Sequence, residues 1–245
     1  MQLDYTIFIE YLPAILEGFK LTLWIVLAAT LIGLPLGLVL ALARSAPNTV
    51  LRVTATAFVE LFRNTPFMIQ VFLLYYVLPF HGVRLHATTV GILALALFSS
   101  VYYAEIFRAG IKALPRGQAE SGRAIGMSAY QSMRHVVLPQ ALPIMLPPLC
   151  NQTLSLVKES AILSTITVQE MTMSALRVQA ETFRPFEVFI MIALLYWLLN
   201  ETIAFGVRRL ERSVRARRSG SATRINGVVD EPGPAVANIN EQVMR

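Results

Sequence analysis

The sequence predicts an all-α membrane protein of about five transmembrane helices, and three observations carry that prediction. Hydrophobic residues make up 55% of the 245 and charged residues only 15%, where an ordinary soluble domain carries about 25% charge. Five stretches of 18 to 23 residues hold no charge or a single acid, and a bilayer core of about 30 Å needs roughly 20 helical residues to cross. None of the five alternates apolar with polar residues, as the short strands of a spanning barrel do.

The first span is Leu21–Ala43. Ala41-Leu42-Ala43 has the look of a signal cleavage site, but the apolar run exceeds the ~7–15 residues of a signal core. The residues ahead of it are acidic (Asp4, Glu10, Glu17, with one Lys20) where signals are basic. It therefore reads as a retained helix, with residues 1–19 as an extracytoplasmic N-terminal segment. Gly33 and Gly37 form a Gly-x-x-x-Gly pattern, which permits close helix packing. The second span covers 64–83. The third covers 87–107, charge-free as far as Ala104. The fourth, 136–157, contains Pro139, Pro143, Pro147 and Pro148, which break the backbone ladder and predict a bent or interrupted helix. The fifth, 188–207, holds one acid, Glu201. Residues 20–207 thus form the transmembrane domain. Residues 208–245 form a basic tail, rich in Gly, Pro and Asn toward its end and without periodicity, read as unstructured.

Loop charge sets the orientation. Sixteen of the 21 basic residues fall between spans one and two, between spans three and four, or after span five; the other five (Lys20, Arg84, Lys158, Arg177, Arg184) fall on the opposite face. Basic loops stay in the cytoplasm, so the N-terminus is outside and the C-terminus inside. A sixth span over 160–173 is too short, contains Gln169 and Glu170, and would set the Arg-rich tail opposite the basic 108–135 loop. Residues 158–185 therefore read as an external or re-entrant segment.

Several function classes drop out. One cysteine, Cys150, rules out a Cys-based zinc site, and three histidines leave little material for a metal cluster, so no metal ligand is assigned. The sequence has no phosphate-binding Gly-rich loop ending in Lys-Ser/Thr. The spans contain Ser99 and Ser100 but no histidine base apart from His81 at an end, so no catalytic residue is assigned. Arg208–Arg218, with six Arg against Glu211, reads as an anchor on the anionic cytoplasmic leaflet rather than a nucleic-acid patch. The lipid bilayer is the one partner that composition assigns.

The most informative connection is 108–135. Pro115 and Gly117 break the end of span three. Gln118–Ile125 then reads as a short helix stopped by Gly126, and Ser128-Ala129-Tyr130-Gln131 as a capping box opening another. The residues by themselves leave open whether this folded basic loop docks a partner or merely connects spans. Glu120-Ser121-Gly122, Gly126 after three intervening residues, and Val136-Val137-Leu138-Pro139 after nine more resemble the EAA loop of ABC importer permeases. The spacing is kept, with small or β-branched substitutions at Ser121, Gly122 and Val136. The segments Glu60–Pro66, Tyr102–Ile111, Arg116–Glu120 and Leu156–Ser160 resemble the polar amino-acid branch of those permeases (the histidine, glutamate/glutamine, arginine and opine group).

The resemblance implies a multi-pass permease subunit in a bacterial inner membrane. Such a subunit forms half of a pore with a copy or a paralogue, and an extracytoplasmic amino-acid-binding protein supplies it with substrate. ABC ATPase subunits drive it, and they, not this chain, bind ATP. It implies that Glu120, Ser121, Gly122, Gly126, Leu138 and Pro139 form the ATPase-coupling loop. Beside the proline-rich span, Asn151, Gln152, Lys158 and Glu159 are candidate residues of the substrate path. Lys158 can supply the cation for an α-carboxylate and Glu159 an acceptor, or Lys158 can simply anchor a helix end in the headgroups. The alternative reading is a secondary amino-acid transporter working without an ATPase, which usually has more spans or repeated halves.

Overall fold

The computed structural model describes residues 9–229, with the backbone alone at Arg116 and over 210–229. Among the described residues every regular element is helical. The α-helices are α1 (Leu12–Arg44), α2 (Thr49–Arg63), α3 (Phe67–Phe72), α4 (Ala87–Lys112), α5 (Arg116–Ala124), α6 (Ala129–Ser132), α7 (Leu138–Glu159), α8 (Met171–Thr182) and α9 (Pro185–Val229). A π-helical turn over Leu73–Val77 and a 3-10 turn over Leu78–His81 prolong α3. A second π-helical turn, Met133–Val137, leads into α7, and a 3-10 helix, Ser160–Ile166, follows it. The all-α class is as the sequence predicts.

Span by span the picture differs from the even set of five. Among the described residues three helices are long and apolar enough to cross a membrane: α1, α4 and the Pro185–Arg209 part of α9. The pair Thr49–Arg63 and Phe67–His81, bent by 107°, counts as a fourth if taken as one span. The segment expected to span from Asn64 starts instead at Phe67, because Pro66 excludes helix at Thr65. The carbonyls exposed at the bend are covered by Gln70, whose Nε2 donates to Phe62 O at 2.8 Å and Thr65 O at 3.0 Å. The fourth expected span, α7, has 22 residues and hence the length, but its prolines and Asn151-Gln152-Thr153 dilute its apolar character. It is not interrupted: the helix runs through Pro143, Pro147 and Pro148, and the irregularity sits in the π turn before it.

α1 is 33 residues long, about 50 Å, so residues 12–19 of the expected N-terminal segment are already helix. Residues 1–8 lie outside the described residues. The α1–α4 crossing is set by the Gly-x-x-x-Gly pair. A Cβ on Gly37 would stand 2.6 Å from Tyr103 Cβ and 2.8 Å from Ser100 O, and one on Gly33 would stand 3.1 Å from Ala96 O. Small residues at such a crossing let backbones approach, the main source of helix association where water exclusion is weak. Ile25, Ala29, Ala94, Leu95, Leu156 and Leu163 form the fully buried centre around it. Tyr103 and Thr153 share a hydrogen bond of 2.9 Å that ties α4 to α7. The start of α8 lies on α1, with Met171 N donating to Thr22 Oγ1 at 3.1 Å.

At the far end of α1 and α4 an ion-pair network forms. Arg44 Nη1 donates to Glu105 Oε2 at 2.7 Å. Glu105 also pairs with Arg108 and, at 3.9 Å, with Arg63. Glu60 lies 3.8 Å from Arg63 and 3.7 Å from Arg44. The pair of Glu60 and Arg63, three apart on one helix, is therefore one edge of a junction between three helices.

The chain divides into two compact units after Phe205. The second, from Gly206, is helical as far as Val229, where the sequence suggested an unstructured tail over 208–245. No proline stands between Pro185 and Pro232, so nothing in that stretch forbids helix. Residues 230–245 lie outside the described residues.

Candidate functional site

The corner between α5 and α6 is built almost wholly from near neighbours. α5 ends at Ala124, and Gly126 adopts φ +88°, a left-handed conformation in which a Cβ is penalised. Gly126 N donates to Arg123 O at 3.0 Å and Met127 N to Gly122 O at 3.1 Å, the paired bonds of a Schellman cap. The next helix opens with the capping box its sequence predicts: Gln131 N donates to Ser128 Oγ at 3.2 Å, and Ser128 N to Gln131 Oε1 at 2.8 Å.

The two short helices then lock together. Ser132, buried, donates from Oγ to Ala119 O at 3.0 Å, and a Cβ on Gly122 would stand 2.8 Å from that Oγ and 3.2 Å from Ser132 Cβ. The glycine that departs from the Glu-Ala-Ala pattern thus sits at the tightest contact in the corner. Gln140 Nε2 donates to Gln118 Oε1 at 2.9 Å, tying the corner to the base of α7, where Leu138 and Pro139 form the helix start. Glu120 is exposed and lies in the middle of α5, not in the first turn, where no acid stands; an interaction with the helix dipole does not explain it. Ile125 and Tyr130 are 75% and 68% exposed, so the outer face of the corner is apolar as well as charged.

A second place collects charge in an open groove between α7 and α9, where Lys158 and Glu201 are both exposed. Leu154 and Lys158 of α7, with Tyr196, Trp197, Asn200, Glu201 and Ala204 of α9, line a cavity of ≈ 390 Å³. Tyr196 lies 11 residues past Pro185, about 16 Å along α9, so the cavity faces the middle of that helix. Beyond it the chain stays within the bundle: Ser160, Leu163 and Ile166 are buried, and Leu163 packs against Gly91 near the start of α4. The sequence puts Lys158 at a helix end; the structure sets that end beside the middle of another helix.

Of the residues singled out for a substrate path, Lys158 lines this cavity. Glu159, the next residue and about 100° further round α7, does not, and neither do Asn151 and Gln152. The carboxylate that shares the cavity with Lys158 is Glu201. By sequence alone Glu201 is an acid near the cytoplasmic end of its span. A signal existed: Tyr196, Trp197, Asn200, Glu201 and Ala204 follow helical spacing along one stripe of an otherwise apolar segment.

Glu170 is the other residue that sequence reasoning missed, since there it counts only against a sixth span. It is fully buried and caps α8, accepting from Thr172 N at 2.9 Å, Met173 N at 2.8 Å and Tyr196 Oη at 3.1 Å. It thereby joins α8 to the helix that carries the cavity. No cluster of potential metal ligands exists among the described residues.

The profile of the family described as binding-protein-dependent transport system inner membrane component matches residues 33–216. The chain is 34% identical over 217 residues to the glutamine transport system permease protein GlnP of Escherichia coli K12, covering 88% of this chain and 99% of that one. It is likewise 34% identical over 217 residues to the arginine transport system permease protein ArtQ of Bacillus subtilis, with the same shares covered. Among solved structures, that of an amino acid ABC transporter with histidines matches with a TM-score of 0.83 at 37% identity, over 87% of this chain and 100% of that chain. The inward-facing MetNI methionine ABC transporter, at 23% identity and a TM-score of 0.66, shares the fold. With its helical bundle and the corner at Gly126 inside the matched region, this chain belongs to the family of binding-protein-dependent transport system inner membrane components and is a multi-pass inner-membrane protein.

Proposed function

We propose that the chain is the permease subunit of an ATP-driven importer of polar amino acids, forming half of the translocation path. The observation that carries the substrate class is the groove that Lys158 and Glu201 both line. A free amino acid presents one carboxylate and one ammonium group. One cation and one carboxylate on facing helices match that pair, and charge-assisted hydrogen bonds are the strong ones. An ammonium beside the middle of α9 is also poorly placed to anchor in headgroups, and intramembrane ionisable residues lie on substrate or ion paths as a rule. The names of the glutamine and arginine permeases among the relatives support the same class. Asn151, Gln152 and Glu159 belong to this path only if helix motion brings them round.

The corner of Glu120, Ser121, Gly122 and Gly126, braced by Leu138 and Pro139 at the base of α7, is the part that an ATPase subunit grips. It is folded by its own hydrogen bonds, so a push on it is passed to α7 rather than absorbed. Lys158 rides on α7, so closure of an ATPase pair alters the cavity. ATP is bound by those partner subunits and no cofactor by this chain. A second permease, copy or paralogue, completes the pore, and an extracytoplasmic binding protein delivers the amino acid. In this reading residues 108–135 face the cytoplasm.

The test is uptake of labelled glutamine and arginine into proteoliposomes holding the full transporter. Uptake should require ATP and the ATPase subunits. Lys158→Gln should raise the half-maximal substrate concentration at least about tenfold, as loss of a charged hydrogen bond worth ~1.5–3 kcal/mol implies. Equal uptake without the ATPase would make the chain a secondary transporter and overturn the proposal.

A further inference from the structure

A cavity of ≈ 470 Å³ opens where α1, α2 and α4 meet, and four of its lining residues are cations: Arg44, Arg52, Arg108 and Lys112. No acid lines it. Glu105 and Glu60 stand behind, paired with Arg44, Arg63 and Arg108, so the junction holds five cations against two carboxylates. The Arg44 side chain is only 7% exposed, and its Nε is buried with no hydrogen-bond partner among the described residues. That Nε is closed off from the cavity, so it is the four lining cations, with no acid among them to offset their repulsion, that mark the recess as a site for an anion. Arg52 is held in place by Ala46 O at 3.1 Å and Thr49 Oγ1 at 3.2 Å, and Lys112 has no ion-pair partner among the described residues.

Position says what the anion is attached to. Arg44 and Lys112 are the last residues of two candidate spans, which sets them at headgroup depth. α2 forms one wall of the cavity and is bent by 107° from the helix that follows, and its Val50 and Val53 are 72% and 57% exposed, with Val53 on the cavity wall. A basic recess beside an uncovered apolar helix face fits a phosphate at its head and acyl chains along its side.

We propose that this cavity binds a phosphate group and that the headgroup of an anionic lipid supplies it. The proposal needs only that the ends of α1 and α4 reach the headgroup layer, and it stands apart from the transport reading. The test uses the full chain, purified with its partner subunits into nanodiscs of phosphatidylcholine and phosphatidylglycerol, with bound lipid counted by mass spectrometry. Phosphatidylglycerol should be enriched about fivefold or more over its bulk share. The double variant Arg52→Gln, Lys112→Gln should bring it to parity, and Arg84→Gln should leave it unchanged. Lys112→Glu alone, which breaks no contact in the junction, should do the same as the double variant if the turn held by Arg52 fails to form there. A parallel arm asks whether millimolar inorganic phosphate protects Lys112 from an amine reagent. Protection without lipid enrichment upholds the phosphate site and assigns it a soluble source. Neither enrichment nor protection overturns the proposal. Loss of partner subunits from the variants with bound lipid unchanged also overturns it, by making the recess a protein contact.

Discussion

The corner around Gly126 and the cavity around Lys158 are built on opposite principles. Every bond that shapes the corner from Ala119 to Ser132 joins residues at most 13 apart. The cavity exists only because α7 and α9 stand side by side, and its two charges come from different helices. A part made of local bonds keeps its shape when the rest of the molecule moves. A part made between helices changes shape whenever they tilt. That contrast suits a rigid handle joined to a variable site, with α7 as the common element.

The comparison breaks first if the corner does not lie on the cytoplasmic side and the connection between α8 and α9 on the outer side, as the proposed orientation requires. In a Cys150→Ser background, Tyr130→Cys at the exposed corner should resist an impermeant thiol reagent in intact cells and react fully once they are opened. Phe183→Cys, beyond α8 and 82% exposed in the wild type, should react from outside. Labelling of the Tyr130→Cys variant in intact cells would invert the orientation.

Next in size is Gly126→Val. A β-branched residue at φ +88° costs roughly 1–2 kcal/mol or more, and the strain falls on the handle itself. ATP-driven uptake should drop more than tenfold while membrane insertion, followed by expression level in isolated membranes, stays normal. Uptake within twofold of wild type would show that the corner carries no coupling.

Smaller effects sharpen the picture. Gly122→Ala restores the residue of the Glu-Ala-Ala pattern but drives a Cβ against Ser132. The overpacking, ~1–3 kcal/mol, outweighs the helix propensity gained, ~1 kcal/mol, so uptake should fall a few-fold, and adding Ser132→Ala should recover part of it. Smallest is Ser128→Ala. It removes one cap worth about 1 kcal/mol, should quicken limited proteolysis of the corner, and should leave uptake within about twofold.

How much was legible in the sequence follows the same contrast. The Gly126 stop and the Ser128–Gln131 box are written in spacings of a few residues, and the structure contains them as read; of the five apolar spans, the first, third and fifth recur as long apolar helices. The tight Gly122–Ser132 contact, the Arg44–Glu105 pair and the Lys158–Glu201 cavity depend on which helix faces which, and no local rule specifies that. The substrate-path reading therefore selects Glu159, the acid adjacent in sequence, where the fold brings Glu201. The start of α3 at Phe67 is readable from Pro66 but is masked when charge alone bounds the span.

The most direct test of the account is substrate-stimulated ATPase activity of the reconstituted transporter across a range of amino-acid concentrations, with Lys158→Gln, Glu201→Gln and Gly126→Val compared at equal assembly. The two cavity variants should shift the stimulating concentration upward about tenfold and leave the maximal rate near wild type. Gly126→Val should lower the maximal stimulation and leave the concentration unshifted. The same response from all three, or no shift in either cavity variant, would contradict a charged site on α7 and α9 worked by a separate rigid corner.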